Sequence, residues 1–424
     1  MRSRVLAVIG LVALTAAACS SSSHSSSTST SSSAASGTSA AGGSSGAGGS
    51  STTSATPLRI LEEAPLSLAA LQPNAQTAVA AAKAAVSYVN AHGGVLGHPV
   101  ELTVEDDGGS TTTGITKLES AINSGSKPAV FLQADASDEA SAELPILAQN
   151  HIVSFNEAPT ATSGDPTKFP ENFDLSPSVA NYAAAFCPYV KAHGGKSVAI
   201  LHGNDAYGDP LAQAMAQACQ SDGITVTGTQ QFELTTLDVT PQLEALQSGH
   251  PDYLLLQAYG PPAGYVLQDI QKLGWKVPIL GDDSVMVSPV VTSPPPSGQL
   301  GTPTEASLKC EVFQSTQYQA SPPAPLAALI QGMKAQGPIP APLILAYMYD
   351  GVILAAAGAQ QAGTTTDGAA IAKAVEGITS APTAIFATYH FSATSHSPNE
   401  DPTAFAFVAP SKVVDGQFGA PGSS

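Results

Sequence analysis

Short apolar segments alternate with helical patterns from residue 57 onward. Strands are predicted at 58–62, 100–105, 129–132, 152–155, 197–201, 224–227, 253–257 and 277–280. Helices are predicted between them, at 75–91, 178–192, 209–221, 239–248 and 262–273. Strands that alternate with helices in this way predict an α/β fold built on parallel sheets.

A seven-residue pattern occurs twice, as YVNAHGG at 88–94 and as YVKAHGG at 189–195, each where a predicted helix ends before a strand. A histidine in the last helical turn suits the helix dipole, and the glycines permit a left-handed cap. The repeat is explained equally well by a good helix end and by two duplicated lobes. Neither His92 nor His193 is predicted to bind a ligand.

The first nineteen residues have the pattern of an export signal. Arg2 and Arg4 precede the apolar stretch 5–18, which is too short to span a bilayer comfortably, and small residues precede Cys19. The segment AAAC resembles the lipobox of bacterial lipoproteins. Residues 1–18 are therefore predicted to be a cleaved signal peptide and Cys19 to be acylated, with an ordinary secretory signal and a chance cysteine as the alternative.

Residues 19–56 consist almost wholly of Ser, Thr, Gly and Ala after the cysteine and cannot bury enough apolar surface to fold. They are predicted to form a tether with an r.m.s. span of about 30 to 35 Å. The segment GGSSG at 42–46 fits a nucleophile elbow, which needs a strand before it and a helix after it. Neither pattern is present, so no nucleophile is predicted there.

Charge restricts the partners that this chain can have. It contains 33 acidic and 15 basic residues, a formal net charge of −18, although only 11% of its residues are charged. Such a surface disfavours nucleic acids and electrostatic adhesion to anionic lipid. Contact with the membrane is therefore expected only through the lipid anchor. The apolar stretch 343–357 contains Tyr347, Tyr349 and Asp350, which is typical of a buried helix.

Ligands of open parallel sheets bind beyond the carboxyl ends of the strands. The residues that follow the predicted strands offer hydroxyls, backbone amides, aromatic rings and a carboxylate, which suit a small polar molecule. A solvated loop is an equal alternative for Ser137 and Asn156. The candidate ligand-binding residues are Ser137, Asn156, Ala158, Thr160, Tyr207, Tyr259 and Asp283.

Four segments resemble the type I periplasmic binding proteins of the Leu/Ile/Val-binding family, the substrate receptors of ABC transporters. They are VNAHGGVLGHPVELTVEDD from residue 89, NDAYGDPLAQAM from 204, PDYLLLQAYGPPAGYVLQDIQKLGWKVPILGDD from 251 and AYMYDGVILAAAGAQQAG from 346. The resemblance spans nearly all of 57–420. It implies two Rossmann-like lobes that close on ligand by hinge motion. It places lobe I at 57–173 and 309–385, lobe II at 174–308 and 386–418, and crossovers near 172–177, 303–313 and 383–391.

The resemblance also implies roles on the first lobe. Ser137 falls where a serine holds the ligand carboxylate, although its neighbour is Ala136 and not a second serine. Ala158 and Thr160 match the loop that holds the same head group, where Pro159 removes one amide.

On the opposing lobe, Tyr207 and Tyr259 match aromatic walls of the pocket, and Asp283 takes the place of an acid that binds the ligand ammonium. The alternative for Asp283 is a helix cap. An amino acid or a related small molecule is the expected ligand, with an amide, a polyol and an aromatic acid left open.

No motif predicts catalysis, a metal or a cofactor. The sequence lacks a His-Glu-x-x-His motif, a phosphate-binding glycine loop and a nucleophile with a base, and Asp106 and Asp107 are interpreted as a polar loop. Delivery of a solute to an ABC permease by a monomer outside the cytoplasmic membrane is the favoured function. A surface receptor that senses a ligand is the alternative, because the fold alone does not decide between them.

Three cysteines remain after Cys19, and their odd number allows at most one internal disulfide in an oxidising compartment. Cys187 and Cys219 lie on predicted helices that flank one strand, so they are the preferred pair. Buried free thiols are the alternative, and Cys310 is left unpaired in either case.

Replacement of Cys19 by Ser is expected to move the protein from the membrane fraction to the soluble fraction, because the anchor is predicted to be covalent. Fractionation of cells that express each form measures this. Ser25→Ala, a change within the tether, serves as the control and should leave partition unaltered. Membrane retention of the Cys19→Ser protein would contradict the lipid anchor.

Overall fold

The computed structural model describes residues 56–134, 136–398 and 404–421. The predicted signal peptide, the predicted acylation of Cys19 and all but the last residue of the predicted tether lie outside the described residues.

The first part of the described chain folds around a parallel sheet. Within the described residues this sheet has five strands in the order β2-β1-β3-β4-β5. They are β1 (Leu58–Ala64), β2 (Val100–Asp106), β3 (Val130–Gln133), β4 (Val153–Asn156) and β5 (Asn172–Asp174). The part built on this sheet is called lobe I below.

A second sheet follows, and the part built on it is called lobe II. Its described strands have the order β11-β10-β9-β8-β6-β7, and β11 alone among them is antiparallel to its neighbour. They are β6 (Ser197–Gly203), β7 (Thr225–Phe232), β8 (Tyr253–Leu256), β9 (Ile279–Gly281), β10 (Leu308–Phe313) and β11 (Phe405–Val408). Two mostly parallel sheets in an α/β chain confirm the predicted fold class.

Helices connect these strands. They are α1 (Gln72–Ala91), α2 (Thr111–Ile122), α3 (Ser137–Gln149), α4 (Val179–Ala192), α5 (Gly208–Ser221), α6 (Thr240–Gln247), α7 (Pro261–Leu273), α8 (Asp283–Met286), α9 (Pro289–Thr292), α10 (Ala324–Gln336), α11 (Tyr347–Ala362) and α12 (Gly368–Val375). The predicted helices agree with α1, α4, α5, α6 and α7 to within three residues at each end.

Two segments differ from the predicted lobe boundaries. The sequence predicts 309–313 in lobe I, but β10 pairs with β9 and β11 and so belongs to lobe II. The sequence predicts 386–418 in lobe II, but the segment 384–397 packs on lobe I. There Phe391 contacts Phe173, and the carbonyl of His396 accepts a hydrogen bond from the Asp174 amide at 2.9 Å. The chain therefore passes between the lobes for the second time after residue 313 and for the third time after residue 397.

The repeated YVxAHGG pattern forms the same helix end in both lobes. His92 Nδ1 lies 2.7 Å from the Tyr88 carbonyl oxygen, and His193 Nδ1 lies 2.8 Å from that of Tyr189. In each case the amide of the second glycine donates a hydrogen bond to the carbonyl oxygen of the residue five positions earlier. Both histidines therefore contribute to a cap, as the sequence predicts.

Helix α11 is apolar and buried. Together with the short turn before it, it forms the segment Leu343–Ala362, which is long and apolar enough to cross a membrane, yet 89% of its most apolar stretch is buried inside the protein. It packs against α1 and α12. Its one acid, Asp350, accepts hydrogen bonds from the Ile385 amide at 3.0 Å and the Tyr389 hydroxyl at 2.9 Å. These bonds fix the segment 384–389 on lobe I.

Cys187 on α4 and Cys219 on α5 form a disulfide, with their Cα atoms 5.1 Å apart. This is the pair that the sequence analysis prefers. Cys310 on β10 is a buried free thiol. The bridge joins two helices that pack side by side on one face of the second sheet.

Two carboxyl groups face each other inside lobe I. A Cβ atom on Gly114 would lie 2.6 Å from Glu143 Oε1 and 3.0 Å from Glu63 Oε2, so both acids converge on the space that this glycine leaves open. Burial raises the pKa of both groups, and the charge of Glu63 raises the pKa of Glu143 further. The folded protein therefore holds protons here that the unfolded chain releases.

Removal of the bridge by Cys187→Ala with Cys219→Ala is expected to lower the free energy of unfolding by about 3 to 4 kcal/mol, because the unfolded chain gains the freedom of a closed loop. Urea denaturation measures this. Cys310→Ala is the control, since it removes a buried sulfur without removing a cross-link. Equal midpoints for the double variant and the control would contradict a stabilising bridge.

The carboxyl pair predicts that stability falls with rising pH. Because the folded pKa values lie above the ordinary value of 4.5, the stabilisation is complete below that pH and is lost as the pH rises through the folded values. Glu143→Gln should reduce the difference between the urea midpoints at about pH 5.5 and about pH 8.5. Glu244→Gln, at an exposed position, should leave this difference as in the wild type. A wild-type protein whose midpoint rises with pH contradicts the prediction.

Candidate functional site

A cavity of about 140 Å³ lies where the carboxyl ends of the two sheets face each other. A cavity of about 150 Å³ holds a molecule of benzene's size, so this one suits a small solute. Its lining comes from both lobes and comprises Pro65, Leu71, Asn74, Ala75, Ala134, Ala136, Ser137, Glu157, Ala158, Pro159, Tyr182, Asp205, Tyr207, Tyr259, Asp283, Ser284, Val287, Ile344, Leu345 and Tyr347.

Five of the residues that the sequence proposes lie in this lining. Ser137 begins α3 just after β3, and Ala158 follows β4. Tyr207 immediately precedes α5, Tyr259 follows β8, and Asp283 follows β9. All five positions follow from one rule. In a parallel sheet the chain leaves each strand at the carboxyl edge, which faces the cleft, before the next helix returns it to the other edge.

The other two proposed residues support the cleft from behind. Asn156 donates to the carbonyl of Ala158 at 2.8 Å and accepts from its amide at 3.0 Å. Thr160 Oγ1 accepts from the amide of Ser163 at 3.0 Å. Neither residue is among those that line the cavity, so direct ligand contact stays a prediction for both. They hold the loop that presents Glu157 and Ala158.

The two lobes touch at the edge of the cavity. The Ser137 hydroxyl on lobe I donates to Asp205 Oδ1 on lobe II at 3.3 Å, and Asp138 Oδ1 accepts from the Ala206 amide at 3.0 Å. Asp205 Oδ1 also accepts from the amides of Tyr207 and Gly208 at the start of α5. The hydroxyl expected to hold a ligand carboxylate is thus bound to a carboxylate of the chain itself.

Asp283 is not the N-cap of α8. Its neighbour Asp282 caps the helix, because the side chain of Asp282 accepts from the Val285 amide. Asp283 Oδ2 accepts from the Tyr182 hydroxyl at 2.7 Å. Burial raises the pKa of Asp283, and hydrogen bonds from Tyr182 and from the backbone amides of Ser284 and Asp283 oppose that rise. Tyr182 thus orients a carboxyl that also interacts with the first amides of α8.

Glu157 is a site residue that the sequence analysis did not select, although it follows β4 and meets the same rule. Its Oε2 atom is enclosed and has no hydrogen-bond partner. Burial, followed by the charges of Glu62 and Asp283, raises the pKa of Glu157 to about 8. Lobe I thus contributes an acid opposite Asp283.

Tyrosines surround these acids. Tyr182 on α4 and Tyr347 on α11 have their hydroxyl oxygens 3.4 Å apart, and the ring of Tyr182 meets that of Tyr207 edge to face with centroids 6.1 Å apart. The sequence gives no signal for Tyr182 or Tyr347, since both belong to helices and not to strand ends. Asn74, Leu71, Ile344 and Leu345 also line the cavity, and none of them directly follows a strand.

Two α/β lobes that face each other across a small-molecule cleft define a bilobal solute-binding protein. The profile of the periplasmic binding protein family matches residues 67–411, and the chain belongs to this family. It is accordingly a substrate-binding protein that acts outside the cytoplasm, and it is not an enzyme.

Similar proteins agree with this assignment. A Leu/Ile/Val-binding protein homolog 3 of Brucella melitensis is 28% identical over 297 residues, 69% of this chain and 76% of that protein. The Leu/Ile/Val-binding protein BraC3 of Rhizobium johnstonii is 26% identical over 309 residues, covering 72% and 79%.

Solved structures share the fold. A type 1 periplasmic binding protein from Bordetella pertussis has a TM-score of 0.72 at 18% identity and covers 86% of this chain and 98% of its own. A leucine-binding protein from Thermotoga maritima has a TM-score of 0.66 at 19% identity, with coverage of 80% and 93%.

Proposed function

We propose that this protein is a monomeric lipoprotein that captures a small ammonium-bearing solute, an amino acid or a related molecule, and delivers it to an ABC permease. The observation that carries the proposal is the position of Asp283. Its carboxyl lines the cavity and is oriented by Tyr182, and the residue is half-buried, which raises its pKa. A buried carboxylate requires a partner, and a ligand ammonium provides both charge and hydrogen bonds.

The cellular part of the proposal has separate support. The segment before Cys19 resembles a lipobox, and 20–56 has the composition of a tether. Two relatives are named Leu/Ile/Val-binding proteins, which supports a transport role and an amino-acid-like ligand. Acylated Cys19 would hold the receptor at the outer face of the membrane, within reach of a permease.

Asp283→Asn is expected to weaken binding of an ammonium-bearing probe by roughly thirtyfold or more, because loss of one member of a buried charged pair costs about 2 to 5 kcal/mol. Calorimetric titration with leucine and with 3-methylbutylamine measures this. The exposed change Glu244→Gln should leave affinity unchanged. An effect of Asp283→Asn below about threefold on both probes would remove Asp283 from the site and refute its proposed role in binding the ammonium.

A further inference from the structure

The lining of the cleft is acidic. Three carboxyl groups line the cavity, those of Glu157, Asp205 and Asp283, and no lysine, arginine or histidine stands among the described lining residues. An amino acid brings an ammonium and a carboxylate together, so it needs a group that accepts its negative charge. A simple amine needs none.

The groups that would hold a carboxylate are already occupied or missing. The Ser137 hydroxyl donates to Asp205. Ala136 stands at the N-cap of α3 without a hydroxyl, and Pro159 has no amide hydrogen. The first turn of α3 carries Asp138, whose charge sits at the positive end of the helix dipole. A ligand carboxylate at this end of α3 would lie beside Asp138 and Asp205 without the Ser137 hydroxyl to bind it.

The groups that would hold a cation come from both lobes. Glu157 Oε2 on lobe I is enclosed and unpartnered, and Asp283 faces the same cavity from lobe II. The Tyr207 hydroxyl lies near Asp282 without making a hydrogen bond of ordinary geometry. Aromatic rings attract ammonium groups through their negative faces, so the tyrosines of the lining add to the same preference.

We propose that the ligand of this cleft is an organic amine with an apolar body and no carboxylate, its ammonium held between Glu157 and Asp283. The inference rests on the proposed function and narrows its ligand class. The apolar body would contact the aliphatic side of the cavity, formed by Leu71, Val287 and Ile344. Asp205 takes the position at Ser137 that a ligand carboxylate would otherwise use.

Matched pairs of probes isolate the carboxylate. Leucine and 3-methylbutylamine share an ammonium and an isobutyl group, and lysine and 1,5-diaminopentane are related in the same way. Calorimetric titration of the full chain should show at least one amine binding roughly tenfold or more tightly than its amino acid, because the amino acid adds an unpaired buried charge.

Two variants test the two halves of the argument. Glu157→Gln should weaken the binding of 3-methylbutylamine by roughly tenfold or more, and the control variant Glu244→Gln should leave it unchanged. Asp205→Asn keeps a capping side chain at the start of α5 while removing the charge beside Ser137. It should therefore improve binding of leucine relative to 3-methylbutylamine, a change that a merely structural role would not produce.

Proton release gives a readout independent of affinity. The pKa of Glu157 is raised to about 8 by burial, so its carboxyl holds a proton near neutral pH, and an entering ammonium displaces that proton. Calorimetric titration of the amine in two buffers that differ in ionisation enthalpy measures the protons released on binding. Near pH 7 the wild type should release up to one proton, and the Glu157→Gln variant should lack the proton that Glu157 releases.

The outcomes separate this inference from the proposed function. If amino acids bind as tightly as their amines, and Asp283→Asn weakens both, the function stands and the amine proposal is overturned. If neither amine binds at millimolar concentration, the amine proposal is likewise overturned. If the amines bind but Asp283→Asn has no effect while Glu157→Gln does, the assigned role of Asp283 fails and the ligand class stands.

Discussion

The central physical constraint in this protein is the burial of carboxyl groups that mostly have no basic partner. The chain has 33 acidic and 15 basic side chains, and few of its described buried acids form an ion pair, Asp269 with Lys272 being one. For two acids of lobe I, hydrogen bonds to neutral groups take the place of an ion pair. Asp350 binds backbone amides of the segment 384–386, and Asp174 accepts from the hydroxyls of Ser163 and Ser397. Burial raises the pKa of each acid to about 6, and these donors limit the rise.

Such bonds also determine how the chain is arranged. Asp350 lies on the buried helix α11 and fixes the segment 384–389, while Asp174 fixes Ser397 just before the third crossover. The acids of the cleft differ from these structural acids. Glu157 has an enclosed oxygen without a partner, and Asp283 receives one tyrosine hydroxyl. Asp174 and Asp350 thus have their hydrogen bonds within the fold, whereas Glu157 keeps an enclosed oxygen that the chain does not partner.

Much of this arrangement could be predicted from the sequence because it depends on local rules. Alternation of apolar and helical segments located the first nine strands except β5, and the strand-end rule found Ser137, Tyr207 and Asp283. The pattern does not predict the edge strand β11 or its neighbour β10, because both follow long connections without a clear period. Tyr182 could not be found, since its place in the cleft depends on how α4 packs near Tyr207 and Phe313.

The position of Asn156 shows a further limit of the sequence. A side chain at the end of a strand is directed either at the ligand or at its own loop, and the direction depends on which groups form hydrogen bonds with it. Asn156 bonds twice to Ala158, so its amide is consumed in shaping the loop. Likewise Ser137 was correctly placed, but its bond to Asp205 depends on the approach of the other lobe.

That approach has a consequence for the exchange of ligand. The bonds from Ser137 to Asp205 and from Ala206 to Asp138 join the lobes through atoms of the chain alone, so this arrangement of the lobes is stabilised in part by the receptor itself. Where the binding-competent form is only a fraction of the molecules, apparent affinity falls in proportion to that fraction. Under the proposed function, both bonds would have to break before a solute enters or leaves the cleft, and they would thereby lengthen its residence time.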